Sequence, residues 1–436
     1  MTPLRTIVFT LAAWLAIGPA TSPLFGQSPS AIPPGTAAQN VRVVGYSDLD
    51  GRAGAFKMSI IERNGRWYLY LGHLWHRGWT ILDVTDPAKP TVANFLPGPD
   101  NTSTGQVDIA DGKLITALER KQPDWGGDAS RPFDEGVLIW DLADPVHPKR
   151  LGQFKTGGTG THRNGYYGGR YIHLAAGMPG YRGNIYVIVD VSDPTKPVEA
   201  GRWWVPGQHV AGGEKPQPAV SLHGPAYVDG NLAYLPYGAA GLIILDIAEV
   251  ARPKLVGQLG FTPPFLGFIG AHSVLPLKTR GIAVVNSEAI AEDCAEPLNH
   301  ASLVDVRDPA KPALLSLFPL PVPPPGSRHR NFCDKGGRFG PHNQNQLHHN
   351  PYVQRPDTLS YLTYFNAGLR IYDISDARLV REVGYFIPPD PAKRVGPMPK
   401  KTLVEQTEDV LVDARGYIYI TNKQQGVWVL QYTGRS

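Results

Sequence analysis

Four histidines occupy comparable places in the sequence, each in a polar stretch that leads into an apolar segment with the alternation of a β-strand. The stretches are GTHRNGYYGG, SLHGPAYVDG, GAHSVLPL and GPHNQNQ, and their histidines are His162, His223, His272 and His342. Imidazole is the commonest ligand that proteins offer to transition metals. Four neutral nitrogen ligands with open positions suit Fe(II), Cu or Mn, whereas structural zinc sites usually contain thiolate. The pattern predicts a metal centre if the fold brings the four side chains together.

The elements that would position these histidines belong to a sequence repeat. Six segments share an apolar run, an aspartate, one more apolar residue and a turn: GWTILDVTDPAKP, GVLIWDLADPVHP, IYVIVDVSDPTKP, GLIILDIAEVARP, ASLVDVRDPAKP and GLRIYDISDARL. Their aspartates are Asp83, Asp141, Asp190, Asp246, Asp305 and Asp373. A seventh segment, GVWVLQYTG, has Gln431 at the corresponding position. This repetition predicts one all-β repeat architecture rather than several separate domains.

One strand-like segment near the N-terminus, VRVVGYS at residues 41–47, has no repeat of its own. It resembles LVREVGYF, the segment that follows the sixth repeat. We expect it to supply the outer strand of the seventh unit, because closing the ring leaves no open sheet edge. The predicted fold is a seven-bladed β-propeller, a single domain over residues 41–432, whose last blade is closed by an N-terminal strand.

The repeats are similar to those of the LVIVD-repeat family of secreted or surface bacterial proteins, which is named after strands such as YVIVDVSDP. The resemblance covers about residues 41–432 and implies a β-propeller. It implies little about chemistry, because a fold alone does not determine a function.

The composition fits a turn-rich β protein, with 48 Gly, 42 Pro and only 18% charged residues. Residues 1–26 have the pattern of a signal peptide, in which Arg5 precedes the apolar run TIVFTLAAWLAI. That run is shorter than the roughly 20 residues that span a bilayer. We therefore expect a periplasmic or secreted protein without a membrane span. The formal net charge of +4, without a basic block, argues against a nucleic-acid partner.

Alignment of the repeats on their first strands places the four histidines at one structural position, which the other units fill with Lys57, Gln106 and Glu408. The first strand of a propeller blade is innermost and begins at the rim of the central channel. We therefore expect four consecutive blades to direct imidazole at one centre. The alternative is that each histidine fills the channel and hydrogen-bonds backbone, although clustered imidazoles without a metal would repel one another on protonation.

Three glutamates are candidates for the partners that metal-bound histidines need at their second ring nitrogen. These are Glu119 in ITALERK, Glu288 in AVVNSEA and Glu408 in QTEDVLVD. Four histidines backed by three glutamates on a propeller resemble, in site geometry alone, the metal centre of carotenoid cleavage oxygenases. That resemblance implies Fe(II) with open positions for dioxygen or substrate. Selenium-binding proteins with a copper centre and Mn(II) oligogalacturonate lyases are also propellers, so Cu and Mn stay open.

Two long insertions are expected to cover this centre, at about residues 288–300 and 321–341. They contain the two cysteines, Cys294 and Cys333, and an even pair in an exported chain favours a disulfide. Arg163 and Lys57 are candidates for holding an anionic group of a substrate. Phe268 in FTPPFLGF is a candidate for an apolar pocket wall.

Three classes of function remain open. The preferred hypothesis is an exported oxidoreductase, with Fe(II) favoured and Cu or Mn as alternatives, that oxidises a small apolar or aromatic compound with dioxygen. The second is a metal-dependent lyase or hydrolase, in which Glu288 or Tyr237 removes a proton. The third is a non-catalytic binding propeller. The sequence leaves the substrate and the oligomeric state undetermined.

Overall fold

The computed structural model describes residues 35–216, 220–261, 269–297 and 299–434. Regular structure in these ranges consists of β-strands and five short 3-10 helices, at Leu49–Gly51, Pro123–Trp125, Val210–Gly212, Gly238–Ala240 and Lys278–Arg280. The all-β prediction is confirmed. No helix in the described ranges has the length and apolar character to cross a membrane. The predicted signal peptide, residues 1–26, lies outside the described residues.

Two strands near the N-terminus pair with strands from the end of the chain. The first, β1, spans Ala37–Gln39, and the second, β2, spans Val41–Ser47. Val41 of β2 lies opposite Tyr432 in an antiparallel pairing with the last strand, as the repeat pattern predicts. The pairing of β1 with the sixth repeat was not predicted from the sequence, and it supplies a fourth strand to that sheet.

The strands of the first half follow in chain order. They are β3 Ala55–Arg63, β4 Arg66–His73, β5 Gly78–Asp83, β6 Thr91–Pro97, β7 Thr102–Ser103, β8 Val107–Ala110, β9 Lys113–Arg120, β10 Gly136–Asp141, β11 Lys149–Phe154, β12 Gly160–Tyr166, β13 Tyr171–Gly177, β14 Asn184–Asp190 and β15 Val198–Trp203.

The strands of the second half complete the series. They are β16 Tyr227–Asp229, β17 Leu232–Pro236, β18 Leu242–Asp246, β19 Lys254–Leu259, β20 Ile269–Leu277, β21 Ile282–Glu288, β22 Ala301–Asp305, β23 Ala313–Leu317, β24 Leu359–Thr363, β25 Leu369–Asp373, β26 Arg381–Ile387, β27 Thr407–Val412, β28 Tyr417–Asn422 and β29 Gly426–Tyr432.

These strands form antiparallel sheets in the order that the repeats predict. Four-stranded sheets contain β3–β6, β16–β19, β20–β23, β24–β26 with β1, and β27–β29 with β2. The strands β7–β15 form one nine-stranded sheet, in which two runs, β8–β11 and β12–β15, are connected where Gly160 pairs with Glu119. Dividing this sheet at that pairing gives seven units, and the count of seven blades stays a prediction.

The repeated aspartates have a common structural role. In each of the six repeats the aspartate Oδ1 accepts a hydrogen bond from the backbone N–H two residues further on, at 2.8 to 3.0 Å. Such Asx turns end a strand and reverse the chain without a β-ladder partner. The repeat therefore specifies the end of the third strand of each unit.

The core lies between neighbouring sheets rather than inside one of them. Leu303 of β22 packs in one cluster with Tyr372 of β25, and Tyr186 of β14 packs with Leu235 of β17. Strands that are buried on both faces read as continuous apolar runs. This explains sequences such as GLIILD and IYVIVD.

Two of the four histidines lie before a regular strand and not at its first residues. His223 lies upstream of β16, although its N–H still donates to the carbonyl of Pro236 at 3.2 Å. The segment that begins at His342 was expected to form an innermost strand and forms no regular strand, but His342 N–H donates to the carbonyl of Thr363 at 2.9 Å. Both segments follow the neighbouring strand closely enough to place their histidines at the channel.

A glycine fixes the spacing between two of these segments. A Cβ on Gly224 would lie 1.6 Å from the carbonyl oxygen of His272. Only glycine permits this approach, which brings the segment that carries His223 against β20.

Candidate metal centre

The centre of the site is a compact group of two imidazoles and a carboxylate. One potential ligand atom from each of His223, His272 and Glu288 lies within 4.8 Å of the other two. Glu288 Oε2 is 3.0 Å from His223 Nε2 and 3.4 Å from His272 Nε2. The carboxylate comes from the last residue of β21, which pairs with the start of β20 and so lies beside His272.

His162 and His342 flank this group on opposite sides. His162 Nε2 is 3.3 Å from His223 Nε2, and His342 Nε2 is 3.5 Å from Glu288 Oε1. The ring centroids of successive histidines are 4.4, 5.2 and 4.7 Å apart. The four histidines therefore form an arc around Glu288. That all four bind one ion stays a prediction, because the set with all ligand atoms within 4.8 Å contains two of them.

The hydrogen-bond partners of the Nδ1 atoms determine which ring nitrogen of His162 and of His342 carries the proton. His162 Nδ1 is 3.1 Å from both carboxylate oxygens of Glu119, and His342 Nδ1 is 2.9 Å from the backbone carbonyl of Glu408. These partners only accept hydrogen bonds, so each Nδ1 carries the proton. With the proton on Nδ1, Nε2 of His342 faces Glu288 and Nε2 of His162 faces His223.

Burial disfavours the protonated form of three of these imidazoles. It lowers the pKa of His223 to about 4 and holds the pKa values of His272 and His342 well below the usual value. Burial opposes the ionisation of Glu288, but the imidazoles of His342, His272 and His223 outweigh it and hold its pKa well below the ordinary value. The site therefore contains an anionic carboxylate among imidazoles that do not bind protons readily.

This donor set fits a transition-metal ion. Glu288 Oε2 is buried and lies 3.0 Å from His223 Nε2 and 3.4 Å from His272 Nε2. Two acceptors that face each other, such as His342 Nε2 and Glu288 Oε1, need a hydrogen-bond donor or a cation between or beside them. Neutral imidazole with one carboxylate is a ligand combination that suits Fe, Cu, Mn or Zn.

Two guanidinium groups contact this ligand set. Arg163 Nη2 lies 2.9 Å from His272 Nε2, and Arg338 Nη1 donates to Glu288 Oε1 at 3.2 Å. Arginine has no acceptor, so His272 Nε2 must accept from Arg163. The proton of His272 is then on Nδ1, which lies 2.7 Å from Ser273 Oγ.

The predicted glutamates take three different positions. Glu119 lies behind His162, as expected, because the pairing of Gly160 with Glu119 brings it there. Glu408 accepts from His342 through its backbone carbonyl, while its carboxylate pairs with Lys423 and lies 3.5 Å from His342 Nδ1. Glu288 lies on the Nε2 side of the histidines, among the possible ligands, and not behind them.

The structure places the remaining predicted site residues, Tyr237, Lys57 and Phe268, away from a catalytic or substrate-binding role or does not describe them. Tyr237 is wrong as a proton acceptor at this site, because it is fully buried in the core between β14 and β17 and donates to Gln208 Oε1 at 2.5 Å. Lys57 is buried and pairs with Asp409 at 2.8 Å, so it is not free for substrate. Phe268 lies outside the described residues.

A cavity of about 620 Å³ opens beside the ligand set. His162, His223, His342 and Glu288 line it, whereas His272 is enclosed behind them. Several of its wall residues were not predicted from the sequence, above all Gln122, Pro123, Asp124, Trp125, Arg338 and Lys423. Their segments lie in loops or insertions outside the repeat pattern, so no periodic signal marked them.

The two cysteine-containing insertions meet over this cavity. Cys294 and Cys333 form a disulfide, as predicted. Ile290 of the first insertion and Arg338 of the second line the cavity, and a β-bridge connects Glu292 with Arg338. The disulfide therefore ties together the segments that supply one wall of the site.

Comparison with known proteins gives a fold and a repeat type. LVIVD repeats match residues 180–204 and 226–259, and no curated protein matches the chain. The β-propeller domain of Cps50 (Swd1) from Myceliophteria thermophila is similar over 88% of this chain and 97% of its own, with 12% identity and a TM-score of 0.52. A likeness at this identity shows the fold alone.

Two further solved structures have lower scores. The computationally designed Ika8 protein is matched over 89% of this chain and 98% of its own, with 8% identity and a TM-score of 0.48. BamB from Moraxella catarrhalis is matched over 85% and 80%, with 12% identity and a TM-score of 0.42.

The sheets and the similarity to Cps50 define this chain as a β-propeller with a polar, histidine-rich centre. It carries LVIVD repeats at residues 180–204 and 226–259, as the sequence resemblance implied.

Proposed function

We propose that this propeller is a metal-dependent enzyme that oxidises a small molecule bound in its central cavity. The observation that supports it is the convergence of possible ligand atoms of His162, His342 and Glu288 beside His223. Arg163 and Arg338 each engage one acceptor of this set, and a metal ion would satisfy the others. In the proposal His223, His272 and Glu288 bind the metal, and His162 and His342 complete its coordination.

Fe(II) is the favoured ion and Cu or Mn the alternatives, because most ligands are imidazoles. When bound, such a metal supplies a Lewis acid and, as Fe or Cu, a route for electrons to dioxygen. The residues of the chain orient the ligands, balance their charge and enclose the bound molecule. Glu119 fixes the ring of His162, Arg338 neutralises part of the charge on Glu288, and the wall formed by Trp125 and Ile290 keeps water from the bound molecule.

A metal-dependent lyase or hydrolase is the second candidate, and one contact favours it. His162 lines the cavity and has Glu119 at its Nδ1, which is the arrangement of a general base oriented by a carboxylate. In this alternative His162 Nε2 takes a proton from the substrate. Mn or Mg in the purified protein would favour elimination or hydrolysis, and Fe or Cu would favour oxidation.

Export to the periplasm or the medium is part of the same proposal. The apolar run at residues 1–26 predicts it, and the Cys294–Cys333 disulfide is compatible with an oxidising compartment.

Metal analysis of the purified protein tests the proposal. We expect about one equivalent of a transition metal per chain and a higher melting temperature after metal addition. His223→Ala and Glu288→Gln should each lose most of the metal, whereas His147→Ala, at an exposed histidine paired with Asp144, should retain it. Less than about 0.1 equivalent, with no thermal shift on metal addition, would leave only the non-catalytic binding propeller.

A further inference from the structure

We infer that the molecule bound in this cavity carries a carboxylate, and that Arg338 binds it beside the metal centre. The inference rests on the proposed function, which it extends by naming the chemical class of the substrate and the residue that selects it.

Arg338 has a free donor at the required place. Its Nη1 donates to Glu288 Oε1 at 3.2 Å, and its guanidinium lies 5.4 Å from the ring centroid of Phe365. The Nη2 group makes no hydrogen bond to the described residues and is not enclosed, and Arg338 lines the cavity. Because the guanidinium is already held through Nη1, Nη2 can donate to an anion with little further loss of side-chain freedom.

The other cations around the cavity already have partners. Arg163 is 2% exposed and is held by His272 Nε2, by Gln106 Oε1 at 3.4 Å and by the ring of Phe56. Lys423 is buried and pairs with Glu408. Arg163 Nε has no hydrogen-bond partner but is enclosed. Among the described residues that line the cavity, Arg338 is therefore the arginine whose unpartnered donor, Nη2, is not enclosed.

The charge balance of the cavity favours an anionic ligand. Three carboxylates and three cations line it close to the site, namely Glu119, Glu288, Glu408, Arg163, Arg338 and Lys423. Asp124, at the outer wall, pairs with Lys400 at 2.7 Å. A divalent metal added to this balanced set leaves excess positive charge in a partly dehydrated site, and an anion bound beside the metal removes it.

The remaining walls suit an apolar body. Phe56, Leu74, Trp125 and Ile290 contribute to the lining, and the volume of about 620 Å³ holds a molecule of drug-like size. An aromatic or otherwise apolar monocarboxylate matches both parts of the cavity. Arginine is the side chain best suited to a planar carboxylate.

The test compares carboxylates with their neutral amides on the full chain loaded with Co(II). The probes are benzoate with benzamide and phenylacetate with phenylacetamide, and binding is measured by calorimetry and by the change in Co(II) visible absorption. We expect at least one carboxylate to bind about tenfold or more tightly than its amide. Arg338→Met should reduce this preference to less than about twofold, and Arg338→Lys should retain part of it.

Two controls keep the result interpretable. Arg182→Met removes an exposed arginine that does not line the cavity and should leave the preference unchanged. Melting curves of each variant confirm folding, and Arg338→Gln replaces Arg338→Met if the latter does not fold. Equal binding of acid and amide by the wild type in both pairs overturns the inference, as does an undiminished preference in a folded Arg338 variant.

A wild-type protein that binds no metal is distinguishable from one that shows no carboxylate preference. If the wild type binds no Co(II), the proposed function is wrong, and the same calorimetry is carried out on the metal-free protein. A carboxylate preference that depends on Arg338 then still supports its role, because its free donor does not require the metal. No preference in either pair overturns the role of Arg338 as well.

Discussion

The guanidinium of Arg163 donates a hydrogen bond to Nε2 of His272, over 2.9 Å. Arg163 comes from β12 and reaches across the channel to β20, and its guanidinium lies 4.8 Å from the ring centroid of Phe56. A fixed positive charge therefore engages one of the lone pairs that the metal centre requires. An incoming metal ion has to displace this contact or do without His272.

Removal of this guanidinium should strengthen metal binding. Arg163→Met frees His272 Nε2 and deletes a unit charge next to the site, so we expect the dissociation constant for Co(II) to fall about tenfold. Competition with a chromophoric chelator measures it. The exposed Arg182→Met variant should behave as the wild type. Unchanged or weaker Co(II) binding by a folded Arg163→Met protein would mean that Arg163 does not compete with the metal.

The carboxylate behind His162 should contribute to metal affinity. In Glu119→Gln an amide replaces the acceptor of the His162 Nδ1 proton, which weakens the orientation of the ring and its basicity. Loss of such a partner typically costs ten- to a hundredfold in metal affinity. We expect about a tenfold higher Co(II) dissociation constant in the same competition assay, with Glu249→Gln at an exposed ion pair as the control. An effect below about twofold would remove His162 from the ligand set.

The close approach at Gly224 gives a test that alters no charge. A methyl group there would overlap the carbonyl oxygen of His272, so Gly224→Ala should displace His223 relative to β20. We expect a loss of about 2 kcal/mol or more in unfolding free energy and weaker Co(II) binding. Gly260→Ala is the matched control, since a Cβ at Gly260 meets no atom within 4 Å. Wild-type stability in Gly224→Ala would contradict the observed packing.

The repeat pattern predicted the architecture because each copy encodes its own local structure. The aspartates of the repeats accept from the backbone two residues on, and the apolar runs are buried on both faces, so both signals are readable along the chain. The histidines were predictable as a group, since equivalent positions in consecutive units converge wherever the sheets form a ring. This is why an analysis of periodicity found His162, His223, His272 and His342.

Side chains outside the repeat register were not predictable in this way. Tyr237 lies at the edge of a repeat, but its ring turns into the core, where Gln208 accepts its hydroxyl hydrogen bond. Arg338 lies in an insertion without internal periodicity, and its position depends on a disulfide and a β-bridge. The direction of Glu288 depends on the pairing of β20 with β21 at one residue. Such features arise from contacts distant in sequence, which a one-dimensional pattern does not specify.

Buried histidines away from the metal centre should make the fold sensitive to acid. Burial lowers the pKa of His173 to about 3, against about 6.5 in the unfolded chain, and its Nδ1 lies 2.7 Å from the hydroxyl of Tyr186. Between these values the unfolded state binds the extra proton, so stability falls as pH drops from about 6.5 to 3. The contribution is at most about 1.4 kcal/mol per pH unit for such a group.

Urea unfolding between pH 4 and 7.5 measures this dependence. His173→Gln removes one titrating group, so its unfolding free energy should decline less steeply below pH 6.5 than that of the wild type. Val198→Ala, at an exposed residue that does not titrate, should leave the slope unchanged. A His173→Gln slope equal to that of the wild type would show that His173 titrates normally in the folded protein.

The disulfide should affect ligand binding more than metal binding. Cys294 and Cys333 are 39 residues apart and connect the insertions that carry Ile290 and Arg338. Replacing both cysteines by serine removes a constraint on the unfolded chain and should lower the unfolding free energy by about 3 kcal/mol. His272 lies in β20 and Glu288 ends β21, and the pairing of these two strands holds both ligands without the disulfide, so the Co(II) dissociation constant should change by less than about twofold.

Carboxylate binding should respond differently in the same double-serine variant. Arg338 then loses the covalent connection that holds its segment over the cavity, and ordering that segment again costs binding free energy. We expect the benzoate or phenylacetate affinity of the Co(II) protein to fall about fivefold or more, measured by calorimetry well below the melting temperature. Parallel loss of Co(II) and carboxylate affinity would indicate general unfolding of the site. Unchanged affinity for both would mean that noncovalent contacts, such as the Glu292–Arg338 β-bridge, suffice to position Arg338.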